Sequence, residues 1–352
     1  MVRAHRALRV SEDRSIIGLT AVSHAAVHTY ELSIPILMVP WLAEFGVTRA
    51  TLGGVVGVGY ALFGLGALPG GVLSDRLGSR PPIVGGLVGM AAGFFIMRAV
   101  AGLVGAALRR VSGGAARSVS PPPALPLISK GVDRRGRALG YHGIAGNIGI
   151  GAGPFATAVL LVFFDWRTAA AVLAVPALAA AVFALRLEFE EPVVSDGDGT
   201  DDAGIDRSFV GESRALFAST FAFVFVVVIS SGLYYRGILT FLPDILGDVI
   251  SFDPGLGLDF EASRYVYSAL LAVGVAGQYL GGRLADGRTE RWMALGYGTL
   301  GVVALMFIPA LSSSAGLVAV SLVLGFFLFV VQPLYQNTIA RHTPEEARGV
   351  SY

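Results

Sequence analysis

Three side chains with acid–base chemistry lie close together in one apolar stretch near the start of the chain. His24, His28 and Glu31 are separated by four and three residues, a spacing that places all three on one face of an α-helix. Histidine titrates near neutral pH, and a carboxyl group removed from water titrates closer to that range. The pattern therefore predicts a proton-binding group. Alternatively, the histidines form hydrogen bonds with neighbouring helices, and Glu31 lies near the outer interface.

Other polar groups interrupt apolar stretches later in the chain. Asn147 lies in one such stretch, and Tyr234 and Arg236 lie in another. An arginine surrounded by apolar residues needs a partner or an anionic ligand. The sequence carries no pattern typical of zinc, haem or nucleotide binding, or of a catalytic nucleophile. We therefore expect no metal, no cofactor and no enzymatic activity.

The elements that position these residues must cross a membrane. The chain has 352 residues, of which 54% are hydrophobic and 14% charged, with a mean hydropathy of +0.68. Soluble domains carry about 25% charged residues, so no soluble core could bury this much apolar surface. Because the chain has no cysteine, disulfides and thiolate metal sites are excluded.

A membrane span needs about 20 mainly apolar residues. We place nine spans at 16–41, 52–73, 82–103, 138–163, 168–187, 214–243, 264–285, 292–311 and 315–338, and expect a tenth at about 104–130. Tyr141 and His142 then lie at the membrane surface, with Asn147 deeper. Counting the tenth span, arginine and lysine concentrate in alternate loops, which predicts a cytoplasmic N-terminus.

Two short segments indicate that the chain consists of two related halves. GGVLSD at 70–75 and GGRLAD at 281–286 each close an apolar run and lead into arginine. Glycine pairs allow helices to approach closely, and such internal repeats are typical of transporters. We expect an N-terminal bundle at 1–187 and a C-terminal bundle at 214–352. The acidic linker at 188–213 is expected to be disordered or loosely helical in the cytoplasm; the alternative is a regulatory or ion-binding loop.

The segment after the second span is similar to a motif of the major facilitator superfamily, G-x-x-x-D-[RK]-x-G-[RK]-[RK]. The matching positions are Gly71, Asp75, Arg76, Gly78 and Arg80, with serine at one basic position, and the counterpart in the second half is Gly282, Asp286 and Arg288. A second internal match relates RRGRALGY at 134–141 to EARGVSY at 346–352. The resemblance implies that the motif forms a cytoplasmic gate. Alternatively, these residues cap helices and fix topology.

The fifth predicted span resembles a motif found mainly in antiporters of the superfamily. It contains Gly140, Gly149, Gly153 and Pro154, and Thr157 with Ala158 replaces the usual final glycine pair. Proline bends a helix, and the resemblance implies that this bend seals one side of the cavity. The alternative is an ordinary packing ladder. Together with the first span, this helix also resembles the fosmidomycin-resistance branch of drug exporters.

The resemblance implies an all-α integral membrane fold with two pseudo-symmetric helical bundles, about ten of twelve spans being present. The chain is therefore expected to be C-terminally incomplete. The fourth span is irregular, since LRRVSGGAARSVSPPP at 108–123 combines three arginines with a proline run. It is either a degraded R-x-x-x-G motif of the family or the product of a reading-frame shift across about 104–122.

These observations predict a secondary transporter of the plasma membrane that works by alternating access. We expect a monomer in the lipid bilayer that exports a small organic molecule in exchange for H+ and binds no nucleic acid. The cavity residues are His24, His28, Glu31, Asn147, Tyr234 and Arg236. The alternatives are an importer of an organic anion, with Arg236 as counter-charge, and a non-functional truncated or pseudogene product.

Overall fold

The computed structural model describes residues 2–66, 70, 73–74, 76–98, 124–125, 127–128, 131–187, 189, 221–250 and 261–342. The irregular stretch at 104–122, most of the linker and the match at 346–352 lie outside the described residues. Nine helices are described: α1 (Val2–Phe45), α2 (Arg49–Leu65), α3 (Arg80–Ile96), α4 (Arg135–Phe163), α5 (Trp166–Arg186), α6 (Phe221–Gly247), α7 (Ala262–Ala285), α8 (Thr289–Ala310) and α9 (Ser314–His342). Each overlaps one predicted span.

Five of the described helices have a length and an apolar composition that suit a membrane span. Within the described ranges, these helices are α4, α5, α6, α8 and α9. The backbone hydrogen bonds of a helix are satisfied within the segment itself, as a hydrocarbon environment requires. The fold is therefore that of an all-α integral membrane protein.

The first compact unit contains α1 to α5. Helix α1 packs mainly on α4, and α3 packs on α5. Local sequence sets the boundaries: Gly46, with φ of +60°, follows the end of α1. The Thr48 side chain accepts a hydrogen bond from the Thr51 amide to cap α2. Asp165 accepts bonds from the Arg167 and Thr168 amides at the start of α5, as N-cap residues do.

The second compact unit contains α6 to α9. Helix α9 packs on both α7 and α8. Its contact with α7 depends on glycine: a Cβ on Gly277 would lie 2.1 Å from the Phe326 carbonyl oxygen, and one on Gly325 would lie 2.5 Å from that of Leu270. No side chain fits at such distances, so the two backbones touch directly.

Candidate functional site

The candidate site lies where α4 meets α1, and glycines on α4 allow this contact. A Cβ on Gly149 would lie 2.2 Å from the carbonyl oxygen of Ala25, and one on Gly153 would lie 2.6 Å from the Cα of Thr29. Gly140 has no atom within 4 Å of its Cβ position. Two of the three motif glycines are therefore required by packing, and Gly140 is not.

The end of the glycine motif continues the same contact. Thr157, at a position where the resemblance implies a glycine, is fully buried. Its hydroxyl lies 2.8 Å from the Ser33 hydroxyl of α1 and 2.8 Å from the Gly153 carbonyl oxygen. Pro154 is also buried in this helix. A hydrogen bond between helices thus takes the place of closer backbone contact.

The structure brings the three ionisable residues of α1 together in one hydrogen-bonded chain. Nδ1 of His28 lies 2.9 Å from Oε2 of Glu31, and Nε2 of His28 lies 3.1 Å from Nε2 of His24. Glu31 is only 3% exposed. A buried carboxyl group in a membrane helix is costly and is by default a candidate for function. The arrangement can hold a proton on any of these three side chains.

The chain of hydrogen bonds continues to α4 through His142. Nδ1–H of His24 donates to the His142 carbonyl oxygen at 2.8 Å, and Nδ1–H of His142 donates to the Thr20 carbonyl oxygen at 3.1 Å. The two imidazole rings stack with centroids 4.1 Å apart and planes 13° apart. Gly146 makes room for the His24 ring, because a Cβ there would lie 2.5 Å from Cε1.

His142, for which the sequence predicts a place at the membrane surface, makes a helix contact that the sequence did not reveal. It belongs to the contact between α4 and α1, whereas its neighbour Tyr141 is 43% exposed. A sequence signal for this position does exist. His142, Gly146, Gly149 and Gly153 are spaced by four, three and four residues, so they share one face of the helix. Asn147 lies beside this face and makes no hydrogen bond to the histidines among the described residues.

The polar residues of α6 form a separate group within the second unit. The Ser231 hydroxyl forms a hydrogen bond with the Tyr297 hydroxyl of α8. The Tyr234 ring lies edge-on to that of Tyr297, with centroids 6.5 Å apart. The Arg236 guanidinium carbon lies 5.6 Å from the centroid of the Tyr235 ring. The structure thus adds Tyr297 to the predicted residues Tyr234 and Arg236.

The first copy of the repeated motif is described in part. Gly71 and Asp75 lie outside the described residues, and Arg76 is exposed. Gly78 has φ of +80°, a conformation that favours glycine. The Arg80 guanidinium donates to the Leu185 carbonyl at the end of α5. Arg80 therefore connects the start of α3 to the end of α5.

The second copy of the motif surrounds the turn between α7 and α8. A Cβ on Gly281 would lie 2.1 Å from the Val330 carbonyl oxygen of α9, whereas nothing lies within 4 Å of that position on Gly282. The exposed Asp286 and Arg288 flank the turn. The Asn337 amide donates to the Ala285 carbonyl oxygen at 2.7 Å. The turn is thus held by α9.

The chemistry of the described site is that of protons and hydrogen bonds. In the part of the chain that the structure describes, no three His, Cys, Asp or Glu side chains are arranged to hold a metal ion. Both nitrogens of His24, both of His28 and Nδ1 of His142 form hydrogen bonds, with the Glu31 carboxylate, with each other or with backbone carbonyl groups.

The fold is that of a multi-pass helical membrane protein, with a partly buried network of ionisable side chains between two of its helices. Residues 22–352 match the family model of the Major Facilitator Superfamily, and the chain belongs to this superfamily. No curated protein is a significant match.

Solved structures show the same fold at low sequence identity. A bacterial homolog of the human lysosomal transporter Spinster, inward-facing and unoccupied, is 16% identical with a TM-score of 0.76, over 97% of this chain and 78% of that one. A nucleoside transporter, NupG, is 15% identical with a TM-score of 0.74, over 96% and 85%. A D-xylose-proton symporter is 16% identical with a TM-score of 0.66, over 96% and 84%. These likenesses show the transporter fold.

Proposed function

We propose that the protein is a secondary active transporter that exports a small organic molecule in exchange for a proton by alternating access. The observation that carries this proposal is the hydrogen bond between the buried Glu31 carboxylate and His28. A carboxyl and an imidazole in contact can pass one proton between them near neutral pH. The structurally similar D-xylose-proton symporter couples transport to protons by its name, which supports proton coupling and is neutral on direction.

The export direction is supported by the residues of α4. The packed glycines Gly149 and Gly153 and the buried Pro154 belong to the motif that resembles those of antiporters. The proton site lies against the same face of α4, because His24 donates to the His142 carbonyl. In this proposal a change at the proton site therefore acts directly on the helix that carries the antiporter-like motif.

The remaining features of the proposed transporter follow the same reasoning. We place it as a monomer in the cell membrane with the N-terminus in the cytoplasm. The repeated motif, from Gly71 to Arg80 and from Gly282 to Arg288, would form its cytoplasmic gate. The anchoring of Arg80 to the Leu185 carbonyl supports a role for this loop in positioning helix ends.

Proton movement in reconstituted vesicles tests the proposal. Proteoliposomes that enclose a pH-sensitive dye are mixed with a panel of sugars, nucleosides, organic acids and amphiphilic cations. When a substrate enters in exchange for protons, the lumen becomes alkaline; when it enters together with protons, the lumen becomes acidic. We expect an alkaline change with at least one compound, and we expect Glu31→Gln to abolish it.

Glu44→Gln is the matched control. Glu44 lies on the same helix, but its carboxylate is half exposed and pairs with Arg167 outside the histidine network. The control variant should retain the proton signal. Proton movement that persists in Glu31→Gln, or that is absent with every compound of the panel, would contradict the proposal.

A second candidate function is import of an organic anion. It is favoured by Arg236, a cation within the long apolar helix α6 that lies against the Tyr235 ring. An anionic substrate would be attracted to such a group. In the same vesicles, this function predicts an acidic change with organic acids alone and its loss in Arg236→Gln.

A further inference from the structure

We propose that His24, His28 and Glu31 bind one exchangeable proton as a single unit, and that His24, positioned by His142, transmits the loss of this proton to α4. The inference rests on the proposed proton coupling and deepens it, because it states how many protons the site holds and which contact responds. The observations that support it are the hydrogen-bond partners of the imidazole nitrogens of His24, His28 and His142.

Two of these nitrogens have a fixed role. Nδ1 of His24 lies 2.8 Å from the His142 carbonyl oxygen, and Nδ1 of His142 lies 3.1 Å from the Thr20 carbonyl oxygen. A carbonyl oxygen only accepts hydrogen bonds, so both nitrogens carry hydrogen. A neutral His24 is therefore the Nδ1–H tautomer, and its Nε2 offers a lone pair to His28.

The other two hydrogen bonds of the network contain one hydrogen each. In the first arrangement, His28 is an imidazolium that donates Nε2–H to His24 and Nδ1–H to ionised Glu31. In the second, a protonated Glu31 donates to Nδ1 of neutral His28. In the third, an imidazolium at His24 donates to Nε2 of His28, which donates to ionised Glu31. All three hold the same number of protons and have a net charge of zero, so the observed geometry belongs to one protonation level.

Loss of one proton to water breaks this pattern. The unit then has a net charge of −1, and one of its two hydrogen bonds has no hydrogen. The bond between His28 and ionised Glu31 is charge-assisted and roughly twice as strong as a neutral one, so it retains its hydrogen. The two Nε2 lone pairs of His24 and His28 then face each other at 3.1 Å and repel.

His24 is the ring that moves under this repulsion. His28 is held by the carboxylate, whereas His24 is held by a neutral bond to the His142 carbonyl and by ring stacking. Its displacement loosens a contact between α1 and α4.

Addition of a second proton to the unit also breaks the pattern, because two N–H groups then face each other. The titratable groups around the unit include His142 of α4, which stacks on His24, and Tyr30 of α1, whose hydroxyl is bound to the backbone of α5.

His142 is a positioning residue in this scheme. Its side chain donates to the backbone of α1, while its own carbonyl accepts from His24. The two bonds run in opposite directions between the same pair of helices. They fix the register of α4 at the point where the His24 tautomer is selected.

Histidine NMR tests the number of protons and the tautomer. The chain has five histidines, so ¹⁵N-histidine labelling of the full chain in nanodiscs, with assignment by single His→Gln variants, resolves each ring. We expect His24 to be the Nδ1–H tautomer, and His24 and His28 to respond together to the loss of one proton. In Glu31→Gln, the amide can donate to Nδ1 of His28 as a protonated Glu31 would. Both rings should therefore stay in the neutral state of the second arrangement. An Nε2–H tautomer of neutral His24, or two separate proton losses from the unit, would overturn the inference.

Spin labels test the transmission to α4. The chain has no cysteine, so the exposed positions Arg14 of α1 and Gly136 of α4 can be changed to cysteine and labelled without background. We expect the distance distribution between the labels to change at the pH where the unit loses its proton. The change should be absent in Glu31→Gln and His24→Leu and retained in His24→Gln, whose amide can both donate and accept.

The outcomes separate this inference from the proposed function. A label distance that is independent of pH while the NMR signals titrate would overturn the role of His24, and so would a change that persists in His24→Leu. Failure of proton transport in vesicles with both expected results retained would contradict the proposed function alone. Proton transport in vesicles without coupled titration would contradict the one-proton unit alone.

Discussion

Gly149 of α4 lies directly on the carbonyl oxygen of Ala25 in α1, since a Cβ at this glycine would be 2.2 Å from that oxygen. The second unit contains the same kind of relationship, where a Cβ on Gly277 would be 2.1 Å from the Phe326 carbonyl oxygen. In each unit, one glycine-bearing helix thus touches the backbone of a partner. Membrane helices use small residues in this way because lipid provides no hydrophobic drive for their association.

The Gly149 contact predicts a destabilised protein when a methyl group is added. Gly149→Ala forces α4 away from α1, and overpacking of this kind costs about 1–3 kcal/mol. We expect a lower thermal midpoint in detergent, measured by size-exclusion fluorescence after heating.

Gly151→Ala is the matched control for this substitution. It lies two residues away in the same helix, and nothing is within 4 Å of its Cβ position. Alanine also favours the helix by about 1 kcal/mol over glycine, so this variant should be as stable as the parent or more stable. Equal midpoints for the two variants would refute the packing role of Gly149.

The repeated Gly-Gly pair provides a second test, because its two glycines differ in the structure. A Cβ on Gly281 would lie 2.1 Å from the Val330 carbonyl oxygen, whereas nothing lies within 4 Å of the Cβ position of Gly282. Gly281→Ala should lower the thermal midpoint by the same mechanism, and Gly282→Ala should leave it nearly unchanged. A larger loss in Gly282→Ala would show that the second glycine has a contact which the packing of α7 on α9 does not explain.

The sequence predicted the helices well because length and apolar composition are local properties. It also predicted that His24, His28 and Glu31 share a helix face, since this depends only on helical spacing. It did not reveal that His142 contacts α1, because that contact joins residues far apart in the chain. The partner of the His142 side chain is the Thr20 carbonyl of another helix, and no local pattern encodes that contact.

Other features that could not be predicted from the sequence also depend on contacts between residues far apart in the chain. The Ser231–Tyr297 hydrogen bond joins α6 to α8, and the repeated glycine pair does not reveal which of its members packs. Such choices depend on the rotation of each helix about its axis, which packing against neighbours determines. Gly149 could be predicted as a packing residue, but its partner Ala25 could not.

Tyr30 provides a third prediction, which concerns how α1 is fixed to α5 beside Glu31. The Tyr30 hydroxyl donates to the Leu173 carbonyl and accepts a bond from the Ala177 amide at 3.0 Å. It therefore lies between two backbone groups that a regular helix would pair with each other. Tyr30→Phe removes both bonds, and we expect a loss of about 1 kcal/mol.

The measurement for Tyr30→Phe is hydrogen exchange of α5 together with the thermal midpoint. Exchange of the amide protons around Ala177 should become faster. Tyr141→Phe is the control, because its hydroxyl accepts bonds from Arg137 on an exposed surface and its loss should change neither quantity. Unchanged exchange in Tyr30→Phe would indicate that the regular helical bond between Leu173 and Ala177 forms again.

The fourth prediction concerns pH and the pairing of α1 with α5 at the far end of the first unit. The Glu44 carboxylate accepts two bonds from the Arg167 guanidinium, at 2.5 and 2.9 Å, and one from the Trp166 indole N–H at 2.6 Å. The bonds from Arg167, followed by that from Trp166, lower the pKa of Glu44 below its ordinary value. The pair is partly exposed, so its contribution is about 1 kcal/mol or less.

The lowered pKa determines the direction of the pH dependence. A carboxyl whose pKa is lower in the folded state stabilises the protein above its unfolded pKa of about 4.3, and this contribution is lost as the pH falls through the folded pKa. Glu44→Gln should therefore have a lower thermal midpoint than the parent at pH 7, with the difference shrinking as the pH falls below about 4.3 and disappearing below the folded pKa. Asp165, whose pKa is also lowered by the Thr168 amide, is present in both proteins and cancels in the difference. Because Arg167→Gln removes the two bonds between these side chains, the double variant should lose less stability than the sum of the two single variants. A difference that grows toward acid pH would mean that the Glu44–Arg167 pair does not stabilise the folded state.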